Sequence, residues 1–413
     1  MKPLFARGFC SALCIVSFGA PLHNPITSWI EGAGARALGM GGAYVSQSAD
    51  MSGLFWNPAG IVNSKLNLFT IGGDWLRHQT HSTFLGYNDS SAGEALRLLS
   101  LGILSIGDGP NSGLASALAL HNAYNLDDYW QYNTTVFRND DSISLRETYT
   151  SMGDLQFWTA GVGATVAEGV SIGGALSYVS GSQTQTVELR QTVNGQYQNP
   201  GTDSVDTQVR RYYSGFDLRF GLMYTPFDWL SAGARIAVPG IIAFVEKTKE
   251  YAGDSVCTVR QYGKLKTSCS GATGLSLLLP VGTVSGEVRF RAPYRGISDG
   301  TALSEWFTGS AIGFEMGPPE GPLNLRAGFS LDAFDPEAFH VTYNLPENGP
   351  TTLTGETTTG WKRTISAGVG CLIAPDVSMN FAYTYSKWSL RQINGLLEKP
   401  VVQRVVLELT MGW

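Results

Sequence analysis

The residues able to do chemistry are few, and their contexts do not suit it. Gly169-Val170-Ser171-Ile172-Gly173 and Gly296-Ile297-Ser298-Asp299-Gly300 both fit the G-x-S-x-G pattern that presents a nucleophilic serine on a strand-to-helix turn. The first falls inside a strand pattern and the second lacks a following helix. In a chain with 50 glycines such matches arise by chance. Among five histidines only His78 and His81 lie close together, and no further ligands stand nearby to complete a metal site. Asp127-Asp128 and Asp140-Asp141 are read as acids of a long outer loop, able to hold calcium or to bridge lipopolysaccharide through divalent ions, or merely solvated. No phosphate loop, nucleotide fingerprint or catalytic carboxylate pair is found, so no enzyme activity, metal or cofactor is expected.

Cysteine usage points to export. Cys10 and Cys14 lie in Met1 to Ala20, where Lys2 and Arg7 precede an apolar stretch and small residues follow, the pattern of a secretory signal. That leaves three cysteines in the mature chain. Cys257 and Cys269 are separated by eleven residues, and a disulfide there would suit an oxidising compartment, with two unpaired thiols as the alternative. Cys371 sits in a strand pattern and reads as a small apolar residue.

The 413 residues carry a net charge of -6, only 15% charged residues and a mean hydropathy of -0.01. The negative balance argues against a nucleic-acid partner. The low charge is unusual for a soluble enzyme, yet no apolar run beyond the signal is long enough for a spanning helix.

Period-two patterning carries the fold. Val405, Leu407, Leu409, Met411 and Trp413 alternate with polar or small residues, as do Val377 to Tyr385 and Leu323 to Leu331. Fourteen such strands are read, at about 65–76, 99–107, 113–124, 154–167, 170–188, 205–225, 229–247, 272–280, 283–292, 305–317, 322–333, 361–374, 376–390 and 400–413. Tight connections alternate with the long polar ones at 125–153, 189–204, 248–271, 334–360 and 391–399. An even strand number with short turns at one end and long loops at the other predicts an all-β, antiparallel, transmembrane β-barrel.

The charged residues sharpen this. Asp217, Arg219, Arg235, Glu287, Arg289, Arg291, Glu315, Arg326, Asp332, Arg404 and Glu408 all fall opposite the apolar face. A lipid-facing arginine near the bilayer midplane would cost about 2–4 kcal/mol, so these are expected to pair inside the lumen. Trp229, Trp306, Trp361, Trp388 and Trp413 stand near strand ends as interface girdles require. Two stretches resist: Ser90 to Leu98 reads as a short helix, and Leu114 to Leu120 alternates poorly, through a real irregularity or a misplaced register.

Between signal and first strand lies Gly32 to Ile61, with seven glycines, six alanines and only Arg36 and Asp50 charged. Small residues let backbone pack closely, and Asn57-Pro58 ends any regular run. Gly34 to Val45 (GARALGMGGAYV), Asp50 and Leu54-Phe55-Trp56-Asn57-Pro58-Ala59-Gly60 resemble the N-terminal plug of the FadL/TodX family of outer-membrane hydrophobic-compound transporters and the related PorV group. The resemblance is specific in this segment and weaker elsewhere.

It implies three parts: signal 1–20, plug (hatch) 21–64 inside the lumen, and barrel 65–413. The plug motif maps to Gly34, Arg36, Gly39, Gly41, Gly42, Asp50, Asn57, Pro58 and Ala59. Leu38, Met40, Tyr44, Val45, Leu54, Phe55 and Trp56 become either a greasy ligand path or wall anchors. Arg36 and Asp50 should pair with lumen residues such as Glu287, Arg289 or Glu408. The family's third strand is kinked inward, matching the irregular third strand here. The implied function is passive uptake of long-chain fatty acids or aromatic hydrocarbons. A PorV-like shuttle or docking role in protein secretion is the alternative. Membrane lipid, lipopolysaccharide and, through the terminal aromatic Trp413, the outer-membrane assembly machinery are the partners expected.

Overall fold

A computed structural model describes residues 32–413 except 85, 109–112, 139–140, 195–200, 253–254, 268, 293, 296–301, 304–305, 318–320, 334–338, 346–348, 356–360 and 392–396. The signal, residues 21–31 and the Ser298 pentapeptide therefore lie outside the described residues. Fourteen antiparallel strands close a ring: β1 (Leu68–Phe84), β2 (Tyr87–Ile106), β3 (Leu114–Asn125), β4 (Asp141–Ala167), β5 (Val170–Asn194), β6 (Gly201–Phe227), β7 (Leu230–Val238), β8 (Ser270–Leu279), β9 (Gly282–Arg291), β10 (Phe307–Met316), β11 (Leu323–Ala333), β12 (Trp361–Ala374), β13 (Val377–Lys387) and β14 (Leu397–Gly412). Each pairs with the next, and β1 closes on β14 with Leu68 opposite Gly412 and Thr83 opposite Leu397. Closure leaves no free edge at the level of a bilayer, where an unpaired backbone group has no water to bond.

The alternation read from sequence is the alternation of burial. On β14, Arg404, Val406 and Glu408 are buried, while Leu407, Met411 and Trp413 are exposed. On β9, Thr283, Ser285, Glu287, Arg289 and Arg291 point inward and Val288 outward. The outer surface is thus an apolar belt, with Trp229, Trp306, Trp361 and Trp413 exposed upon it. Trp388 is the exception among the expected girdle residues. Its ring stands 6.1 Å from that of buried His78, over the interior side of the wall.

Several local expectations are corrected. Ser90 to Leu98 is not a helix but the outer half of β2, paired residue by residue with β1, Ser90 opposite His81 and Leu98 opposite Gly73. Glu94, Leu96 and Arg97 favour helix only weakly, and a complete ladder outweighs that preference. The span 229–247 is two elements. Pro239, which has no N–H to donate, and Gly240 end β7, and Ile241–Ala252 then pairs with the outer half of β6. Most of the long polar loops are strand as well: β4, β5 and β6 run far beyond the belt, and Ile241–Ala252 forms a hairpin with Ser255–Lys266.

The third strand is irregular for a structural reason. Leu114, Ser116 and Leu118 face out against buried Ala115, Ala117 and Ala119, so the small residues lie inside and hydropathy does not follow burial. From Leu120 to Tyr124 every residue is buried, with a register shift between Asn122 and Tyr124 against β4. After a break at Leu126-Asp127 the chain resumes as Asp128–Arg138, still paired with β4. β2 pairs with β3 only over Ser100–Ile106, so above Ser100 its ladder is with β1 alone. Tyr129 crosses to lie over Gly93 of β2, and the Asp127 carbonyl stands 2.8 Å from His78 Nδ1.

Asp127 and Asp128 are consequently not acids of a solvated outer loop. Both are buried at this break, Asp127 accepting from the Gly153 amide. His78 and His81, three apart on one strand, point to opposite faces, His78 buried and His81 exposed. The disulfide is corrected too: Cys257 and Cys269 are both free. Cys257 projects from the outer hairpin opposite Glu250, whereas Cys269 lies beyond the hairpin's foot, where Thr267 bonds Gly240. Gly169 is not within a strand but in the turn from β4 to β5, with φ 70°, and Ser171 is paired opposite Met223 within β5 rather than on a strand-to-helix turn.

Candidate functional site

The segment from Gly32 to Ser64 folds as α1 (Ala35–Gly39), α2 (Gly53–Trp56) and a 3-10 turn, Pro58–Asn63. Such short helices have too few internal bonds to persist alone. They are held by the wall, whose inward-facing residues contact them from many strands around the ring.

The contacts are mostly charged side chains on backbone. Glu287 accepts from the amides of Tyr44 and Val45, both at 2.9 Å. Arg289 donates to Glu287, to Asp332 and, at 2.7 Å, to the Gly42 carbonyl. Arg219 and Arg235 donate to one acceptor, the Phe55 carbonyl, at 2.9 and 2.8 Å. Ser366 donates to the Gly39 carbonyl and Ser231 to the Ser46 carbonyl. Buried arginines and acids thus satisfy both one another and the irregular backbone beside them, as burial of charge requires.

Arg36 makes a two-pronged bond to Glu315, at 2.9 and 2.7 Å, and Arg326 shares that carboxylate. The acids expected to meet it, Glu287 and Glu408, bond elsewhere. Asp50 pairs with no wall residue among the described bonds. It accepts from the Tyr44 hydroxyl and from the Ser52 amide and hydroxyl, tying the segment to itself. Burial foremost, reinforced by Asp50, holds the Tyr44 hydroxyl well above its ordinary pKa, so it remains a donor.

Asn57 is fully buried and makes three bonds: its amide donates to the Val45 and Leu222 carbonyls, and its oxygen accepts from the Ala59 amide. The last bond caps the 3-10 turn, and Pro58 occupies the position where a missing N–H costs nothing. Gly41 has φ 67° and rests on the backbone of Gly328 and Phe329, where a Cβ would come within 2.8 Å of the Phe329 nitrogen. Gly34 packs on Ser52, Gly39 on Gly368, Gly42 on Arg289, and Ala59 lies against Gly221.

The apolar residues divide. Met40 is buried against Gly313, Val45 against Gly233 and Gly274, and Leu54 against Gly161, all as wall contacts. Leu38 packs with Ala35, Leu99, Ala382 and Val406. Phe55 and Trp56 face open space. They border a cavity of about 60 Å3 whose other walls are Tyr124, Leu155, Phe157, Ala237, Ile242 and Phe290, with Asp217 and four arginines. Trp56 also borders a second cavity, of about 40 Å3, lined by Leu38 and by polar residues such as Ser330, Asp332, Lys362, Thr364 and Arg404.

The fold has solved counterparts. A FadL homologue of Pseudomonas aeruginosa superimposes with a TM-score of 0.65 at 11% identity, covering 94% of this chain and 99% of that one. The toluene transporter TodX of P. putida matches with a TM-score of 0.60 at 14% identity, over 93% and 99% of the two chains. The Ralstonia pickettii toluene transporter TbuX matches with a TM-score of 0.53 at 12% identity, also over 93% and 99%. The fold is that of the FadL-type barrels. At these identities the likeness fixes fold, not ligand. No family model and no curated sequence matches the chain.

Within that FadL-type fold the wall residues in contact with the N-terminal segment could not be matched to it from sequence alone. Arg36-Glu315 and Asn57-Leu222 join positions far apart in the chain. His121 was also missed as a lumen residue. It is buried edge-on to Phe55 at 6.4 Å, with neither ring nitrogen hydrogen-bonded among the described residues. The only signal for it was its place in the poorly alternating third strand.

Proposed function

We propose that the chain is a bacterial outer-membrane channel for passive uptake of hydrophobic compounds, long-chain fatty acids or aromatic hydrocarbons, with the N-terminal segment as its plug. The observation that carries this reading is the aromatic cavity: Phe55 and Trp56 of the segment face Tyr124 and Phe157 of the wall inside a closed barrel. A lumen serving small polar solutes has no use for aromatic walls, whereas an apolar ligand gains about 25 cal/mol for each Å2 it buries there. The toluene transporters that share the fold support the same class of cargo.

At about 60 Å3 the cavity has room for a handful of waters, not for a ligand of drug size. Passage therefore requires the plug to shift. A sideways exit from the lumen would run at the interruption of β3, above which β2 lacks a ladder on that side and Tyr129 lies over Gly93. Arginines around the cavity favour fatty acids over neutral hydrocarbons as the cargo.

Purified protein in liposomes should take up labelled fatty acid faster than empty liposomes. Equal rates would contradict the proposal.

A further inference from the structure

The outward face of the wall changes character abruptly along β6. Its lipid-facing residues run Tyr224, Leu222, Phe220, Leu218, Phe216, Ser214 and Tyr212, all exposed, and the next residue on that face is Arg210. The 12 steps from Tyr212 to Tyr224, at about 3.3 Å each and a tilt of about 40°, rise about 30 Å, which spans an apolar band about 25 Å tall with its girdles. Arg210 therefore stands just beyond the band. It does so at the end of the barrel that carries the long connections, where the head groups of the outer leaflet lie.

Its neighbours across the sheet are cations as well. Arg210 is opposite Lys247, and Lys247 is opposite Arg260 on the outer hairpin, so one outward row over three strands reads Arg210, Lys247, Arg260, all exposed. The row on the membrane side of it is Tyr212, Val245 and Tyr262, with the Arg260 guanidinium 5.3 Å from the Tyr262 ring centroid. Lys249 follows on the row beyond, between Gln208 and Thr258. Neighbouring strands are about 4.8 Å apart, and like charges set directly opposite one another destabilise a sheet. No acid relieves this row. Arg210, Lys247 and Arg260 have no ion pair among the described residues. Glu246 faces the lumen, bonded to Arg211, and Asp206, the outward acid of these strands among the described residues, sits two rows farther out.

We propose that this row is a docking surface for lipopolysaccharide: Arg210, Lys247 and Arg260, with Lys249 behind them, hold phosphates of its head group while its acyl chains lie on Tyr212, Val245 and Tyr262. Charge complementarity carries the choice of partner. In a chain of net charge -6 these cations are left without protein counter-ions, and a phosphate between them replaces their repulsion by charge-assisted, bidentate hydrogen bonds. Placement decides where the phosphate comes from. The row borders the apolar belt and lies in no cleft, so an anion that reaches it together with the tyrosines below carries acyl chains. The surface depends on the barrel standing in the outer membrane and not on what passes through its lumen.

The test is binding of lipopolysaccharide to the full-length protein, purified in neutral detergent, stripped of lipid and read by native mass spectrometry. The triple variant R210Q/K247Q/R260Q should bind about tenfold more weakly than the wild type, a loss expected when three exposed cations are removed. Dephosphorylated lipopolysaccharide should bind the wild type no better than the intact lipid binds the variant, whereas R210K/R260K should keep most of the affinity. Added salt should weaken the wild type and barely affect the triple variant, which a merely structural role would not produce. Equal binding by wild type and triple variant, or of intact and dephosphorylated lipid, would overturn the proposal. Displacement of the lipid by an equal concentration of inorganic pyrophosphate would overturn it too, since the row would then belong to soluble phosphates. Wild-type gel mobility before and after heating checks that the variant folds. Should it not fold, R260Q with the two lipid forms decides alone.

Discussion

The two cavities above the N-terminal segment share Trp56 and Arg289 yet differ in everything else that lines them. On one side stand Phe55, Tyr124, Leu155 and Phe157, and on the other Ser330, Lys362, Thr364, Thr384 and Ser386. The aromatic side lies under β3 to β9, where the third strand turns inward, and the polar side under β11 to β14, where the wall is regular. The difference teaches that the lumen is not uniformly greasy or uniformly charged. Among the described residues the aromatic-lined space sits in the half of the barrel with the broken wall, and Arg289, bonded to Glu287 and Asp332, stands with Trp56 between the two cavities.

The partition should therefore be the most sensitive place to strike. Arg289→Met leaves Glu287 and Asp332 buried without their cation and frees the Gly42 carbonyl, a loss of about 3–5 kcal/mol. A lowered unfolding temperature, followed by heat-dependent gel mobility, should accompany merging of the two cavities. An unchanged transition would contradict Arg289 as the cation that holds Glu287, Asp332 and the Gly42 carbonyl together.

Next in size is the joint that seats the segment under both cavities. Replacing Asn57 and Pro58 together by alanine removes the buried bonds to Val45, Leu222 and Ala59, and leaving those groups unpaired costs about 1–3 kcal/mol. Leak of small polar solutes should rise. Unchanged antibiotic sensitivity in a strain carrying the double variant would count against this role.

Tyr44, which borders neither cavity, should affect stability without affecting cargo. Because its folded-state pKa is raised, the folded form holds this proton longer than the unfolded chain, whose tyrosines titrate near about 10. Its contribution is whole below that pH and is lost as pH rises further. Tyr44→Phe should cost about 1 kcal/mol at neutral pH, flatten the alkaline loss and leave uptake unchanged. An uptake defect in this variant would place Tyr44 on the ligand path. Smallest of all, Cys257→Ser, far from both cavities on the outer hairpin, should shift stability by less than about 0.5 kcal/mol. Both Cys257 and Cys269 should react with maleimide without prior reduction, and protection of the pair would contradict free thiols.

The barrel was legible because lipid imposes a rule on every residue of a strand. Arg404 and Glu408 stand inside and Leu407 and Met411 outside, as period two required. Strand lengths beyond the belt were not legible, since water accepts either face and Thr, Ser and Gln in β5 and β6 carry no alternation to read. Ser90 to Leu98 misled because its helix-favouring side chains say nothing of the ladder offered by β1. The motif located the residues that hold the N-terminal segment, but not their partners. Glu315 and Leu222 are brought to Arg36 and Asn57 by closure of the ring, which no local pattern records. The cavity was hidden for a related reason: Phe55, Tyr124 and Phe157 come from separate elements, and each alone reads as core.

Uptake of labelled dodecanoate by proteoliposomes, compared between an aromatic-side obstruction, Ala237→Trp, and a polar-side one, Thr364→Trp, tests the central assignment most directly. With both variants showing wild-type gel mobility, the first should lose most of its uptake and the second keep it. The reverse order would contradict a ligand path through the aromatic cavity.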